Sequence, residues 1–305
     1  MKIGVIVEAA DIDSGVAGVR AAADEGFASA WFTQMFSFDA IGMCTLAGRE
    51  VPGIEVGTAV VPTFPRHPVA LAMQAVTASL ASGGRFVLGI GLSHQMVIEG
   101  MLGMSYEKPA RHMREYLEVL IPLLRDGKVD HDGEVFKVRA PVDGMGALPP
   151  PVLVAALGPA MLRITGELAD GTITWMTGPK TLADHVIPAI TDAASNAGRP
   201  APRVIAALRT VVTDDPDEAR ERTGKAIAFY GQLPAYRAML DREGATEPKD
   251  VSIVGDEDHV ASVVTGLADI GVTDFVAVPG GTPDEQARTR KLLTSLYASR
   301  RKRPG

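Results

Sequence analysis

The sequence has few of the features that mark secreted, membrane-spanning or nucleic-acid-binding proteins. Its single cysteine, Cys44, excludes a disulfide within the chain and indicates a reducing compartment. No run of about 18 apolar residues occurs, so we expect nothing in the chain to span a membrane. The first residues, MKIGVIVE, lead into Asp11 without the small-residue cleavage site of a signal peptide. We therefore expect a cytoplasmic protein.

Positive charge is also scarce. The 305 residues carry a formal net charge of −7 and a pI near 5.4, which leaves no general basic surface for nucleic acid. The one basic run, residues 300–303, is predicted to be a solvated C-terminal tail. Apolar residues, by contrast, make up 46% of the chain, which is enough for a large hydrophobic core.

Short apolar runs alternate with longer amphipathic segments along the chain, which predicts strands alternating with helices. The predicted strands are 2–8, 28–33, 54–61, 86–91, 152–157, 170–176, 204–212 and 274–278. The predicted helices are 14–25, 38–49, 68–82, 110–125, 159–169, 181–197, 217–242, 257–270 and 282–299. Eight strands in this order indicate an α/β protein with a (β/α)8 TIM barrel.

Two segments depart from the repeating pattern. Residues 129–138 contain Asp132-Gly133 between apolar residues, which predicts a small β-hairpin before strand five. The long helical region 217–242 has no clear strand and is interpreted as an insertion between strands seven and eight. No Ser/Pro-rich linker divides the chain, so we expect one domain over residues 1–305. An open doubly wound sheet is the alternative, but the first strand lacks a Gly-rich turn.

The stretch RFVLGIGLSHQ, residues 85–95, is the first candidate for a site. An apolar run forms the buried strand, and Gly89 and Gly91 allow its backbone to approach another segment closely. Ser93 and His94 then supply polar groups where the strand ends. The two glycines lack the third glycine of a dinucleotide fingerprint, so they give a Rossmann fold little support. A plain turn with a surface histidine remains the alternative.

The carboxyl ends of barrel strands carry the chemistry of this fold. Few of the residues at these positions are charged, which indicates a large apolar mouth that suits a flat organic cofactor better than a metal or a sugar. The strand ends carry Glu8, Gln34 and Met35, residues 59–62, residues 91–94, Leu157 and Gly158, residues 175–177, Arg209 and residues 279–281.

Five motifs carry a resemblance to a known family. They are GFASAWFT (26–33), VGTAVVPTFPRHP (56–68), GGRFVLGIG (83–91), ALGPAMLRITGELADG (156–171) and GVTDFVAVP (271–279). In this order they resemble the bacterial luciferase-like superfamily over nearly the whole chain, and most of all its oxidoreductases that use the deazaflavin coenzyme F420, including methylene-tetrahydromethanopterin reductase. The resemblance implies coenzyme F420, a small-molecule substrate and a homodimer formed through helices two and three.

The resemblance also implies where the coenzyme binds. A non-prolyl cis bond that faces the deazaflavin ring in relatives matches Ala59-Val60, and the turn near the coenzyme phosphate matches residues 158–161. Free N–H groups and the helix dipole favour an anion at such a turn, although an ordinary strand-to-helix turn is the alternative. The predicted cofactor-binding residues are Gln34, Ala59, Val60, Gly91, Ser93, Leu157, Gly158, Pro159, Ala160, Met161 and Trp175.

The chain departs from its relatives at two positions. Gln34-Met35 stand where many F420-dependent relatives have Asp-His, and glutamine can donate a hydrogen bond but cannot titrate. His94 stands where sugar-phosphate-oxidising relatives have a carboxylate. His94 is therefore the predicted catalytic residue for proton transfer, because an imidazole pKa near 6.5 suits both giving and taking a proton.

The other histidines are weaker candidates. His131, His185 and His259 each follow an aspartate and are predicted to lie on the surface, while His67 precedes a predicted helix. The run from Arg111 to Arg114, which includes His112, either reaches an anion at the mouth or is solvated charge. An FMN-dependent monooxygenase and a non-catalytic flavin- or deazaflavin-binding protein stay open as alternative functions.

Overall fold

The computed structural model describes residues 1–142, 144 and 146–301. The strands are β1 (Lys2–Ile6), β2 (Ser29–Phe32), β3 (Glu55–Thr58), β4 (Val61–Pro62), β5 (Phe86–Gly91), β6 (Lys128–Asp132), β7 (Lys137–Pro141), β8 (Val152–Val154), β9 (Gly171–Trp175), β10 (Arg203–Val212), β11 (Ile253–Gly255) and β12 (Asp274–Pro279). The α-helices are α1 (Ile12–Glu25), α2 (Ala40–Glu50), α3 (Pro68–Ala81), α4 (Pro109–Asp126), α5 (Pro159–Leu168), α6 (Pro179–Thr181), α7 (Ile187–Asn196), α8 (Pro216–Ile227), α9 (Pro234–Glu243), α10 (Glu257–Asp269) and α11 (Pro283–Arg301).

Eight parallel strands close into a barrel. The order around it is β1, β2, β3, β5, β8, β9, β10 and β12, and β12 pairs again with β1. Helices alternate with these strands along the chain and cover the outside. The predicted TIM barrel is therefore confirmed. None of the helices in the described ranges is long and apolar enough to cross a membrane.

Apolar side chains fill both faces of the barrel wall. One cluster occupies the interior and a larger one lies between the strands and the helices, as expected for strands covered on both faces. Trp31 is the largest interior side chain and is fully buried. Gly57 leaves room for it, because a Cβ at this position would overlap the indole ring. The interior cluster comprises Ile6, Trp31, Val87, Leu153, Ile173, Ile205, Ala207 and Val276.

Arg203 closes the amino-terminal end of the barrel. Its guanidinium bonds to the carboxylates of Glu55 and Asp274, and its Cζ lies 5.9 Å from the centre of the Trp31 ring. Two carboxylates compensate one buried guanidinium, so this charge is fully paired.

The predicted hairpin before the fifth barrel strand is present. β6 and β7 pair antiparallel as a separate two-stranded sheet. The carboxylate of Glu115 on α4 anchors its turn by accepting hydrogen bonds from the backbone N–H groups of Val135 and Phe136. These bonds, together with other contacts, keep the pKa of Glu115 below its ordinary value although burial opposes this.

Three sequence predictions need correction. The predicted strand 54–61 is two strands, β3 and β4, interrupted at Ala59 and Val60. The predicted helix 217–242 is α8 and α9, separated by a 3₁₀ segment because Pro234 begins a new helix. The chain between the insertion and α10 also contains β11, which the sequence analysis did not predict; β11 pairs with the end of β10 and, at three residues, is too short to stand out in the sequence. The basic run 300–303 extends beyond the described residues.

Candidate active site

A bulge at the end of β3 forms one side of the barrel mouth. Gly57 pairs with Val87, whereas Val61 pairs with Ile90, so the β3 side carries one extra residue between these pairs. The Ala59-Val60 peptide within the bulge is cis, which confirms the expectation drawn from the family resemblance.

The glycines of β5 make room for this bulge. A Cβ on Gly89 would overlap the carbonyl oxygen of Thr58, and a Cβ on Gly91 would lie 2.8 Å from Cγ2 of Val60. The prediction of a close backbone approach at these glycines is therefore confirmed, and the segment that approaches them is the bulge.

The floor of the mouth is apolar and partly open. Ala59, Val60, Trp175 and Val278 pack on the interior cluster from above and are only partly buried. A flat aromatic ring system could lie on this surface, because its apolar face needs no polar partner there.

One polar atom at this floor lacks a partner. Nε1 of Trp175 is buried and makes no hydrogen bond to any residue that the structure describes. Buried indole N–H groups usually find an acceptor, so an acceptor on a bound ligand would satisfy it. The residues present thus fit a planar cofactor that carries carbonyl or ring-nitrogen acceptors.

Ser93 and His94 follow β5 at the edge of the floor. Ser93 has a positive φ of 61°, and its carbonyl accepts a hydrogen bond from the hydroxyl of Tyr106 at 3.3 Å. The half-buried ring of His94 lies 5.7 Å, between centroids, from the ring of Tyr236. Burial lowers the pKa of His94, so the imidazole is neutral at pH 7 and can accept a proton.

The insertion supplies an aromatic wall that the sequence analysis missed. Tyr230 lies 6.0 Å from Trp175 in a T-shaped arrangement, and Tyr236 lies 5.3 Å from Tyr230 in the same way. These rings connect Trp175 at the end of β9 with His94 at the end of β5. The concentration of aromatic residues at 229, 230 and 236 in a charged segment is a signal that could have indicated a buried role.

The turn after β8 begins α5 without a side-chain cap. Gly158 is the N-cap residue and offers no side chain, whereas α1, α2 and α10 begin with capping aspartates. The backbone N–H groups of Ala160 and Met161 are therefore available to an anion. Pro159 and Ala160 are exposed, while Leu157, Gly158 and Met161 are partly buried.

His185 supports this turn. Its Nε2 lies 2.8 Å from the carbonyl oxygen of Leu157, and the residue is half-buried. The sequence prediction that His185 lies on the surface is therefore wrong. Its approach to Leu157 depends on the π-helical segment Leu182–Val186, which no sequence pattern indicated.

The side chain of Gln34 has a structural role. Its Oε1 accepts a hydrogen bond from the backbone N–H of Ala40 at 2.8 Å and so supports the start of α2. The side-chain amide nitrogen remains available to a ligand. Across the described part of the chain, no group of three or more His, Cys, Asp or Glu residues could hold a metal ion.

The run from Arg111 to Arg114 is occupied with packing and ion pairs. His112 is buried, stacks on Phe64 at 4.0 Å between ring centroids and lies 3.0 Å from the hydroxyl of Thr63. Burial lowers the pKa of His112 to about 4, so its ring is neutral. Arg111 pairs with Glu134 and Arg114 with Glu167.

Comparison with known proteins agrees with this architecture. The 5,10-methylenetetrahydromethanopterin reductase of Archaeoglobus fulgidus is 30% identical in an alignment 282 residues long, which covers 88% of this chain and 82% of that protein. The coenzyme F420-dependent tetrahydromethanopterin reductase from Methanopyrus kandleri has a similar structure, with a TM-score of 0.83, 24% identity, and coverage of 98% of this chain and 99% of that one.

An FMN-binding enzyme has the same fold. The oxygenating constituent of 3,6-diketocamphane monooxygenase from Pseudomonas putida, in complex with FMN, gives a TM-score of 0.76 at 17% identity and covers 98% of both chains. The family model described as luciferase-like monooxygenase matches residues 3–290. The chain therefore belongs to the luciferase-like monooxygenase family.

Proposed function

We propose that the protein is an oxidoreductase that uses coenzyme F420 and a small organic substrate. The observation that carries this proposal is the 30% identity with a methylenetetrahydromethanopterin reductase over 88% of the chain. The apolar floor and the bulge at Ala59 and Val60 support it, since they offer a surface for a deazaflavin ring.

Several groups of the chain would hold the coenzyme. Ala59 and Val60 would support the ring, and the unpartnered N–H of Trp175 would donate to one of its acceptors. The uncapped start of α5 would bind its phosphate through backbone N–H groups. Gln34, Gly91 and Ser93 complete the proposed binding surface. When bound, a deazaflavin supplies a carbon that exchanges hydride with a substrate.

His94 would exchange the proton that accompanies hydride transfer. Its ring is neutral, half-buried and at the edge of the floor, where a substrate above the ring system would lie. For an alcohol oxidised to a carbonyl, the imidazole takes the hydroxyl proton. For the reverse reaction it returns that proton as the imidazolium.

An FMN-dependent monooxygenase is the second candidate. The similarity in fold to a monooxygenase in complex with FMN favours it, and an apolar floor would accept either ring system. A cofactor-binding protein without turnover is the third, because Gln34-Met35 replace a titratable pair. Such a protein would bind coenzyme F420 but would not reduce or oxidise any acceptor.

We also propose a homodimer formed through α2 and α3. Large apolar side chains on these helices are exposed, namely Leu46, Met73 and Leu80. A second copy would cover them. A monomer in light scattering would contradict this proposal. The cytoplasmic location and the single domain stay predictions.

A turnover assay distinguishes the candidates. The purified protein is incubated without oxygen with reduced coenzyme F420 and a panel of enones, imines, aldehydes and ketones. Oxidation of the coenzyme by one class of acceptor, lost in His94→Gln, is the expected result. In a second assay with oxygen and reduced FMN, formation of an oxygenated product, together with no oxidation of reduced coenzyme F420 in the first assay, would favour the monooxygenase instead.

A further inference from the structure

Arg209 lies at the barrel mouth on the inward-facing side of β10. Side chains alternate along this strand, and Ile205 and Ala207 belong to the interior cluster. Arg209 follows Ile205 and Ala207 at the same two-residue spacing, so its side chain lies on the same face of the strand. It pairs in register with Val278 of β12, which packs on the same cluster from above. The guanidinium therefore belongs to the open end of the barrel.

Among the described residues, the charge of Arg209 has no counter-ion. Its Nη1 donates a hydrogen bond to the carbonyl oxygen of Pro279 at 3.2 Å, and its Nε is buried without a partner. No carboxylate forms an ion pair with it within residues 1–142, 144 and 146–301. Arg203, at the other end of the same strand face, is bound by two carboxylates. A partly buried guanidinium normally has such partners, so the contrast indicates a missing anion.

A cavity of about 230 Å³ lies beside Arg209. It is lined by Arg209, Arg222, Thr223, Gly281 and Thr282, and thus lies between β10, α8 and the loop from β12 to α11. This volume is several times the ~30 Å³ that one water molecule occupies in the liquid. It can hold a phosphate or carboxylate group and the atoms next to it.

The second arginine of this cavity is already neutralised. Nη2 of Arg222 lies 2.8 Å from both carboxylate oxygens of Glu285, and its Nη1 lies 2.7 Å from Glu218. The Glu285 carboxylate also accepts from the backbone N–H of Thr282, so it is fully engaged. The uncompensated positive charge of the cavity is therefore that of Arg209.

We propose that Arg209 binds a phosphate or carboxylate group carried by the substrate. The anion binding follows from the cavity alone, whereas its assignment to a substrate rests on the proposed function. The coenzyme phosphate is proposed at the start of α5, which follows β8, and β9 with Trp175 separates that turn from β10. An anion site at Arg209, two strands further round the barrel, would bind an anionic group of the substrate apart from the coenzyme phosphate.

Binding of inorganic phosphate to the cofactor-free protein tests this proposal. Isothermal titration at constant ionic strength compares the wild type with Arg209→Gln, Arg209→Lys and the control Arg20→Gln, whose side chain is exposed on α1. We expect at least about tenfold weaker binding in Arg209→Gln, partial retention in Arg209→Lys and no change in Arg20→Gln. Phosphate that binds at the α5 turn should bind equally to all four proteins, so a difference between them reports binding at Arg209.

Thermal unfolding of the same proteins shows that the loss is not a folding defect. Arg209 has no carboxylate partner among the described residues, so Arg209→Gln is expected to keep or raise the Tm. Equal phosphate binding by wild type and Arg209→Gln would overturn the proposal, as would a wild type that binds no phosphate.

Measuring the affinity for coenzyme F420 shows whether the anion at Arg209 belongs to the substrate or to the coenzyme. If the anion belongs to the substrate, Arg209→Gln leaves this affinity within about twofold. A tenfold loss would assign the anion to the coenzyme and contradict the substrate assignment. A wild type that binds phosphate at Arg209 but no coenzyme would contradict the proposed function alone.

Discussion

The hydroxyl of Thr58 bonds to both backbone groups of Gly89. It donates to the Gly89 carbonyl at 2.8 Å and accepts from the Gly89 N–H at 2.9 Å. These two bonds replace the strand pairing that is interrupted between β3 and β5 at the bulge. The hydroxyl of Thr58 therefore fixes the bulge, and the absence of a Cβ at Gly89 and Gly91 leaves room for Val60 above them.

Gly89→Ala is expected to abolish cofactor binding. The new methyl group would overlap the backbone of Thr58 and displace the bulge that forms one side of the mouth. Calorimetric titration with the cofactor and thermal unfolding measure the two effects. Gly266→Ala on α10 is the control, since a Cβ there meets nothing within 4 Å, and alanine favours a helix by up to ~1 kcal/mol. Undiminished cofactor affinity in Gly89→Ala would contradict this account of the bulge.

Trp175→Phe is expected to weaken cofactor binding by about five- to tenfold, the effect of one hydrogen bond of ~1 kcal/mol. The phenyl ring keeps the contact with Tyr230 but loses the N–H that has no partner among the described residues.

Trp31→Phe provides the comparison. The indole N–H of Trp31 donates a hydrogen bond to the hydroxyl of Ser29 at 2.8 Å inside the barrel. Loss of this bond in Trp31→Phe should lower the Tm and leave cofactor affinity near that of wild type. Equal affinities of wild type and Trp175→Phe would show that this N–H does not contact the cofactor.

The rate of substrate oxidation is expected to depend on neutral His94. Burial lowers its pKa below the ordinary histidine value, so kcat should rise with pH and its midpoint should lie below that of a free histidine. His94→Gln should lower kcat by about 10²- to 10⁴-fold and remove this rise, while cofactor affinity stays unchanged. Full turnover in His94→Gln would exclude the proton-transfer role.

His112 is expected to make stability depend on pH. A histidine in the unfolded chain has a pKa near 6.5, whereas burial lowers the pKa of His112 to about 4 in the folded protein. Between these values the unfolded state binds the proton and the folded state does not, so stability falls as the pH drops from about 6.5 towards 4. The full loss is on the order of 3 kcal/mol.

Urea unfolding between pH 7 and pH 4 measures this dependence. His112→Gln should flatten the slope, although it is less stable at pH 7 because the stacking on Phe64 is lost. His259→Gln, at an exposed position, should keep the wild-type slope. Identical slopes for wild type and His112→Gln would contradict the assignment.

The sequence predicted the barrel because alternation of apolar runs and amphipathic segments is a local signal. It predicted the role of Gly89 and Gly91 because glycine weakens the interior of a strand and often marks a close approach of another backbone. It missed β11, whose three residues form a strand only by pairing with the end of β10.

The remainder of the site depends on contacts between distant segments. Tyr236 approaches His94 across 142 positions of the chain, and His185 reaches Leu157 through a π-helical turn. The missing counter-ion of Arg209 is a property of its surroundings, whereas Arg203 on the same strand finds Glu55 and Asp274. No spacing within the sequence distinguishes these two arginines.

Titration of the purified protein with coenzyme F420 and, separately, with FMN tests the central claim most directly. Fluorescence quenching reports binding of either ring system. The account predicts saturable one-site binding of coenzyme F420, little binding of FMN, and loss of the F420 signal in Gly89→Ala. Tight binding of FMN with none of coenzyme F420 would contradict it.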